Sequence, residues 1–241
     1  MERLGVPLVV LALSAGLACA GGTGFGLDFA QADLDAVAEV LGDVVNFPIL
    51  ETAVPGGVTG FQVLGAAGGP EVHTNGHWWQ YVPHSNVVGG VLFGQRMIVR
   101  KGLPFHLDVG AQVGKVFGDQ FWGADARWAF AEGGTLSPAM ALRATYSRVN
   151  SSILDRLDVA EGQLVVSKGF PVVSVYGAVG YRRVRGRATF GDPVPLPHSS
   201  TSTGVTGTVG AKLGVLPFFH IVGEVRRGAR TCVFVGAGVG L

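Results

Sequence analysis

The chain has 241 residues, enough for one domain with a full core and short for two. Its 18 basic and 17 acidic residues nearly cancel, which excludes the one-signed charge footprint of a nucleic-acid-binding protein. Charged residues make up only 15% of the chain, against about 25% in ordinary soluble proteins. The 39 glycines are about twice the usual share. Fourteen of the basic residues are arginine, the cation favoured where charge is paired away from bulk water.

Residues 1–20, MERLGVPLVVLALSAGLACA, carry Arg3, an apolar run from Leu4 to Leu17, and Ala18-Cys19-Ala20. That is the order of a cleaved export signal, and the run is too short to span a bilayer. Cleavage before Cys19 with lipidation is the alternative, but Gly16 stands where a branched or leucine side chain is the rule. The N-terminal segment, 21–57, contains Leu34, Val37, Leu41 and Val44 at helical spacing, so a helix is expected from Asp28 to Val45, as a plug or in the periplasm. Asp33 and Asp35 suit its start, and Pro48 stops it.

From residue 58 to 241 the pattern is one of strands. Ten segments are expected: Val58–Ala66, Val87–Val99, Phe105–Val116, Phe121–Ala131, Ala139–Val149, Leu157–Lys168, Val172–Arg185, Gly204–Val215, Phe218–Arg226 and Thr231–Leu241. Most exceed the roughly five or six residues of a globular strand and match the roughly 9 to 11 of a tilted membrane strand. Pro104, Pro138, Pro171 and Pro217 fall in connections or at strand starts, where a missing donor is harmless. Long connections are expected at Ala67–Asn86 and Gly186–Thr203.

The apolar face of each segment, such as Trp122, Ala124, Ala126, Trp128 and Phe130, carries no charge at its centre. The opposite face mixes Asp108, Asp125, Arg127, Arg143, Glu161, Arg182, Lys212, Glu224 and Arg226 with glycine. A water-facing surface would be rich in lysine and glutamate. Small residues mixed with charges of both signs suit a narrow lumen instead. Phe105, Phe117, Trp122, Phe130, Tyr146, Tyr181, Phe218 and Phe219 lie toward strand ends, as interfacial girdles do. The reading is all-β: a transmembrane antiparallel up-and-down β-barrel of about ten strands (eight or twelve as other counts), apolar face outward, behind an N-terminal helix. A bulge is expected near Gly162, where the apolar phase of Leu157 and Val159 switches to that of Leu164 and Val166. Val222 falls on the polar face without explanation.

The stretches LGDVVNFPILETA, GFQVLGAA, LPFHLDVGAQVG, LSPAMALRATYSRV and VVSKGFPVVSVYGAVGYRRV resemble bacterial outer-membrane β-barrel proteins that place a helix before the first strand. The resemblance implies a bacterial outer-membrane location and a helix in or under the lumen, distantly like barrels of the fatty-acid-transporter type. Leu241 stands where such barrels tend to carry an aromatic residue.

No catalytic, cofactor or metal set is assembled by the sequence, and the protein is not expected to be an enzyme. His73 and His77 are four apart, but Asn75-Gly76 between them signals a turn rather than the helix that a metal pair needs. His84-Ser85 would point to opposite faces of a strand. The nine lumen charges are expected to pair with one another. Arg183, Arg185 and Arg187 continue the lipid-facing row of Tyr181 above the membrane, where they would meet lipopolysaccharide phosphates. The partners expected are thus outer-membrane lipid, lipopolysaccharide and a small or hydrophobic solute. Three functions follow: passage of that solute through a helix-plugged lumen, a structural or interaction barrel acting through external loops, or a lipid hydrolase using His84 or His198.

Overall fold

The computed structural model describes residues 31–72, 79, 86–134, 137–151, 154–190, 196–216 and 218–240. The expected export signal, His73, His77, His84 and Ser85 lie outside the described residues. In chain order the elements are α1 (Gln31–Val45), β1 (Phe61–Pro70), β2 (Val87–Val88), β3 (Val91–Leu92), β4 (Gly94–Leu103), β5 (Leu107–Val116), β6 (Asp119–Ala131), β7 (Ala139–Val149), β8 (Arg156–Gly169), β9 (Val173–Phe190), β10 (Leu196–Gly214), β11 (Phe219–Arg227) and β12 (Thr231–Gly240). Ten of the strands, β1 and β4 to β12, form one closed antiparallel barrel in which β1 pairs with both β12 and β4. Strands β2 and β3 form a separate two-stranded ribbon.

Strict alternation places side chains on two faces. Outward-facing Val109, Val113, Trp122, Trp128, Leu142, Val179, Val209, Ile221, Val235 and Val239 are all exposed. Among the described residues, outward charges appear only at the ends of this belt, for example Lys115 and Arg148 at one end and Lys101 and Lys168 at the other. A charge at mid-depth on a lipid-facing surface would cost about 2–4 kcal/mol. The belt is the surface of a transmembrane barrel. The end at which β1 begins and β12 finishes is closed by the connections 103–107, 131–139, 169–173 and 214–219, whereas the opposite end carries the long 70–94 connection and the tip of the long β9–β10 hairpin. The longer loops of such barrels are external and the shorter turns periplasmic, so that opposite end is external.

The lumen is occupied by the protein's own chain. Gln31 at the start of α1 donates to the Ser199 carbonyl at the external end (3.2 Å), and Ala38 and Gly42 lie against Gly186 and Val184. The chain then descends in extended form from Asn46, and Gly102 N–H meets the Gly60 carbonyl (3.0 Å) at the periplasmic end before β1 turns back up. Leu34, Val37, Leu41 and Val44 are at most 1% exposed. They pack in one cluster with inward Val116, Phe121, Val149, Leu157, Val159 and Val184.

That insertion corrects several sequence expectations. No bulge occurs near Gly162, because β8 pairs in unbroken register with β7 and β9. Leu157 and Val159 face inward, where α1 makes the lumen apolar, and Leu164 and Val166 face outward. Among the described residues the register shifts instead between Ala129 and Ala131. Val222 belongs to a second lumen cluster with Phe47, Ile49, Leu50 and Phe234. Phe117 packs against the α1 cluster rather than joining a girdle.

Boundaries move as well. The first barrel strand starts at Phe61, not Val58, and runs to Pro70. The segment Val87–Val99 divides because Gly89 and Gly90 adopt left-handed turn conformations (φ 59° and 79°). Phe105 and His106 (φ 63° and 58°) sit in the turn before β5 rather than in it. The supposed loop Gly186–Thr203 is mostly strand: β9 and β10 pair from Val173–Leu213 up to Phe190–Leu196 and project beyond their neighbours.

Candidate functional site in the lumen

An extended segment inside a barrel has no strand partner, yet its buried N–H and C=O groups still need hydrogen bonds. Barrel side chains supply them here. Arg96 Nη1 donates to the Asn46 carbonyl (2.8 Å), and its Nη2 to that of Val44; Gln112 donates to Val45 O (3.0 Å). Arg143 reaches the Phe47 and Pro48 carbonyls (3.2 and 3.0 Å), and Arg100 also reaches Pro48 O (3.3 Å). Arg127 donates to the Thr52 and Val54 carbonyls. In the other direction, Glu224 accepts from Ile49 N–H and Leu50 N–H (3.3 and 2.8 Å), Ser167 from Ala53 N–H (2.9 Å) and Asp108 from Gly56 N–H (3.0 Å). Leu50 adopts φ 44° as the chain wraps the Glu224 carboxylate, which also accepts from Tyr176 Oη (3.1 Å).

All nine charges expected at the lumen lie on inward positions, and eight are buried, Lys212 being half-buried. They are brought together only partly with one another. Arg127 pairs with Asp108 (2.7 Å), and Arg143 with Asp125 (2.8 Å). The others reach the inserted segment. Arg182 pairs with Asp43 of α1, Arg226 donates to Asp43 O (2.9 Å), and Glu161 accepts from Asn46 and Thr206. Lys212 grips both oxygens of Glu51 (2.8 Å each).

Arg96, Arg100, Gln112, Asp43, Asn46 and Glu51 were missed as site residues. The available signal was NFPILET, an apolar stretch after the helix with no strand of its own. Phe47 is clamped in addition between guanidiniums, Arg143 and Arg100 lying 5.0 and 5.4 Å from its ring centre. Inward glycines make room for this filling: a side-chain carbon on Gly210 would come within 2.3 Å of the Tyr176 ring.

Below the segment a cavity of about 320 Å³ opens at the periplasmic end, lined by Glu51, Gln62, Arg100, Arg127, Lys212 and His220 among others. Two buried atoms of its lining residues, Arg100 Nη1 and Gln62 Oε1, have no hydrogen-bond partner among the described residues. Elsewhere, His198 sits on β10 opposite Ala188, far from the cavity at the other end of the barrel. Arg183, Arg185 and Arg187 are exposed on the outer face of β9.

No family model and no curated protein matches the chain. Among solved structures it is similar to the N-terminal β-barrel domain of Pseudomonas aeruginosa OprF (9% identity, TM-score 0.36, 77% of this chain and 99% of that one). It is similar to KdgM porin (9% identity, TM-score 0.40, 74% and 98%) and to Ail, the attachment invasion locus protein of Yersinia pestis (12% identity, TM-score 0.33, 76% and 95%). These likenesses concern barrel architecture alone. With its closed antiparallel sheet, uncharged outward belt and filled polar lumen, the chain is an integral outer-membrane β-barrel protein.

Proposed function

We propose that the barrel is a gated passage for a small polar solute, closed at rest by its own segment 31–56 and entered from the periplasmic cavity. The observation that carries this reading is the use made of the lumen charges. Between them Arg96, Arg100, Arg127 and Arg143 reach six main-chain carbonyls of the segment and two carboxylates. When the segment withdraws, these donors face an open path and can take a solute's oxygens in its place. At the cavity, Arg100 Nη1 offers an unpartnered donor and Gln62 Oε1 an unpartnered acceptor. A polar cargo fits them better than a hydrophobic one, because displaced donors left against an apolar solute would each cost about 1–3 kcal/mol.

A tether tests this directly. A Cβ built on Gly42 lies 3.5 Å from that of Val184, within the range of a disulfide. The double variant G42C/V184C, with Cys232→Ser to remove the free thiol, is expected to be electrically silent in planar bilayers when oxidised. Reduction is expected to restore brief channel openings like those of the untethered protein. A protein silent in both states would instead support a second reading, favoured by the projecting β9–β10 hairpin: a permanently closed barrel acting through its external surface.

A further inference from the structure

We infer that the outer face of the β8–β9–β10 projection is a docking surface for the phosphorylated headgroup of an outer-leaflet glycolipid. This goes beyond the passage function and concerns the opposite face of the wall. Arg183, Arg185 and Arg187 lie on the outward row of β9, directly above Val175, Val179 and Tyr181 of the lipid-facing belt. Alternate strand residues stand about 7 Å apart, so the three guanidiniums form a ladder climbing out of the apolar belt. None of the three has a hydrogen bond or ion pair among the described residues.

Their neighbours were hidden from sequence reading, because residues 186–203 look like a loop. Across the hairpin Arg183 faces Thr203, Arg185 faces Thr201 and Arg187 faces Ser199. These three small side chains are exposed and outward, so each arginine has a hydroxyl beside it and no bulky residue over it. On the other side Arg183 faces Ala160, Arg185 faces Asp158 and Arg187 faces Arg156. Asp158 is already occupied by Arg148 Nε (2.7 Å), Arg156 Nε (2.6 Å) and Tyr146 Oη. The nearby Asp155 accepts from Thr189 (2.7 Å). The patch therefore holds five guanidiniums against two engaged carboxylates.

The choice of partner follows from position and chemistry. Trp122 and Tyr146, 5.8 Å apart, and Tyr181 mark the top of the apolar belt, and Arg148 stacks over the first two. Charges that begin one step above interfacial aromatics meet headgroups, not acyl chains. Guanidinium forks bind phosphate oxygens two at a time, and hydroxyls add single donors. A lipid carrying more than one phosphate would satisfy a ladder of this spacing, with its acyl chains lying along Val179 and Val205.

The test uses the full mature protein, purified in detergent and titrated with bisphosphorylated lipid A. The variant R183Q/R185Q/R187Q should bind at least tenfold more weakly while keeping the parent's heat-modifiable gel mobility, since these residues make no hydrogen bond or ion pair among the described residues. The variant R183K/R185K/R187K should fall between the two, keeping charge but losing the fork. Removing both phosphates from lipid A should weaken binding to the parent as much as the glutamine variant does. Unchanged affinity of the glutamine variant, equal binding of dephosphorylated lipid, or preference for a soluble sulfated polysaccharide would each overturn the assignment.

Discussion

The external and periplasmic halves of the lumen hold the same inserted chain by different chemistry. In the external half the insert is a helix, which satisfies its own main chain from residue to residue, so the wall around it can be apolar. Leu157, Val159 and Val184 are the result. In the periplasmic half the insert is extended and satisfies nothing by itself. The wall there must supply donors and acceptors, and it does so with Arg96, Arg100, Arg127, Arg143 and Glu224. The secondary structure of the guest thus sets the polarity of the host, at a boundary near Asp43 and Asn46.

Substitutions in each half separate the two regimes. The largest effect is expected for Arg143→Ala, which strips the Phe47 carbonyl of its donor, leaves that of Pro48 with Arg100 alone, and takes a partner from buried Asp125. Breaking a buried pair in this way costs about 3–5 kcal/mol, read as a lowered urea midpoint in lipid vesicles followed by tryptophan fluorescence. Leu41→Ala, in the helical half, should cost about 3 kcal/mol by cavity formation, measured in the same assay. Arg143→Met, which restores volume but no donor, should be nearly as damaging as Arg143→Ala, whereas Leu41→Met should cost less than about 1.5 kcal/mol. Were Arg143→Met to restore most of the stability, the division of the lumen would be wrong. The smallest change is expected for Gly162→Ala, on the lipid-facing row, where an added Cβ meets nothing within 4 Å. It should shift stability by less than about 0.5 kcal/mol, and a larger loss would bring back the discarded bulge.

The outward wall was readable from the sequence because a lipid-facing strand obeys one rule, apolar at every second residue, and β5, β6, β7 and β12 break it only at their external ends, with Lys115, Gln120, Arg148 and Thr231. The inward wall obeys a rule that depends on what fills it. Leu157 and Val159 looked like a break in phase only because apolar was equated with outward. The nine lumen charges could be named from their face, but not their partners, since main-chain carbonyls carry no side-chain signature. Residues 186–203 failed for another reason. The glycines and prolines there signal a turn, while the alternation of Val184 and Ala188 inward with Arg185, Arg187 and Thr189 outward carries the strands on toward it. The register of Arg187 with Ser199 then depends on a tertiary pairing that local pattern does not contain.

The fastening of the insert also bears on what its release requires. Residues 43–56 hydrogen-bond to side chains on β1 and on every strand from β4 to β11. Only β12 makes its contribution through apolar contact alone, by Cys232 and Phe234. A chain so attached leaves its place only by surrendering those bonds, and each buried donor or acceptor left bare costs about 1–3 kcal/mol. Withdrawal of the segment therefore demands water or a solute at each of those groups as it goes, which makes any opening rare and brief.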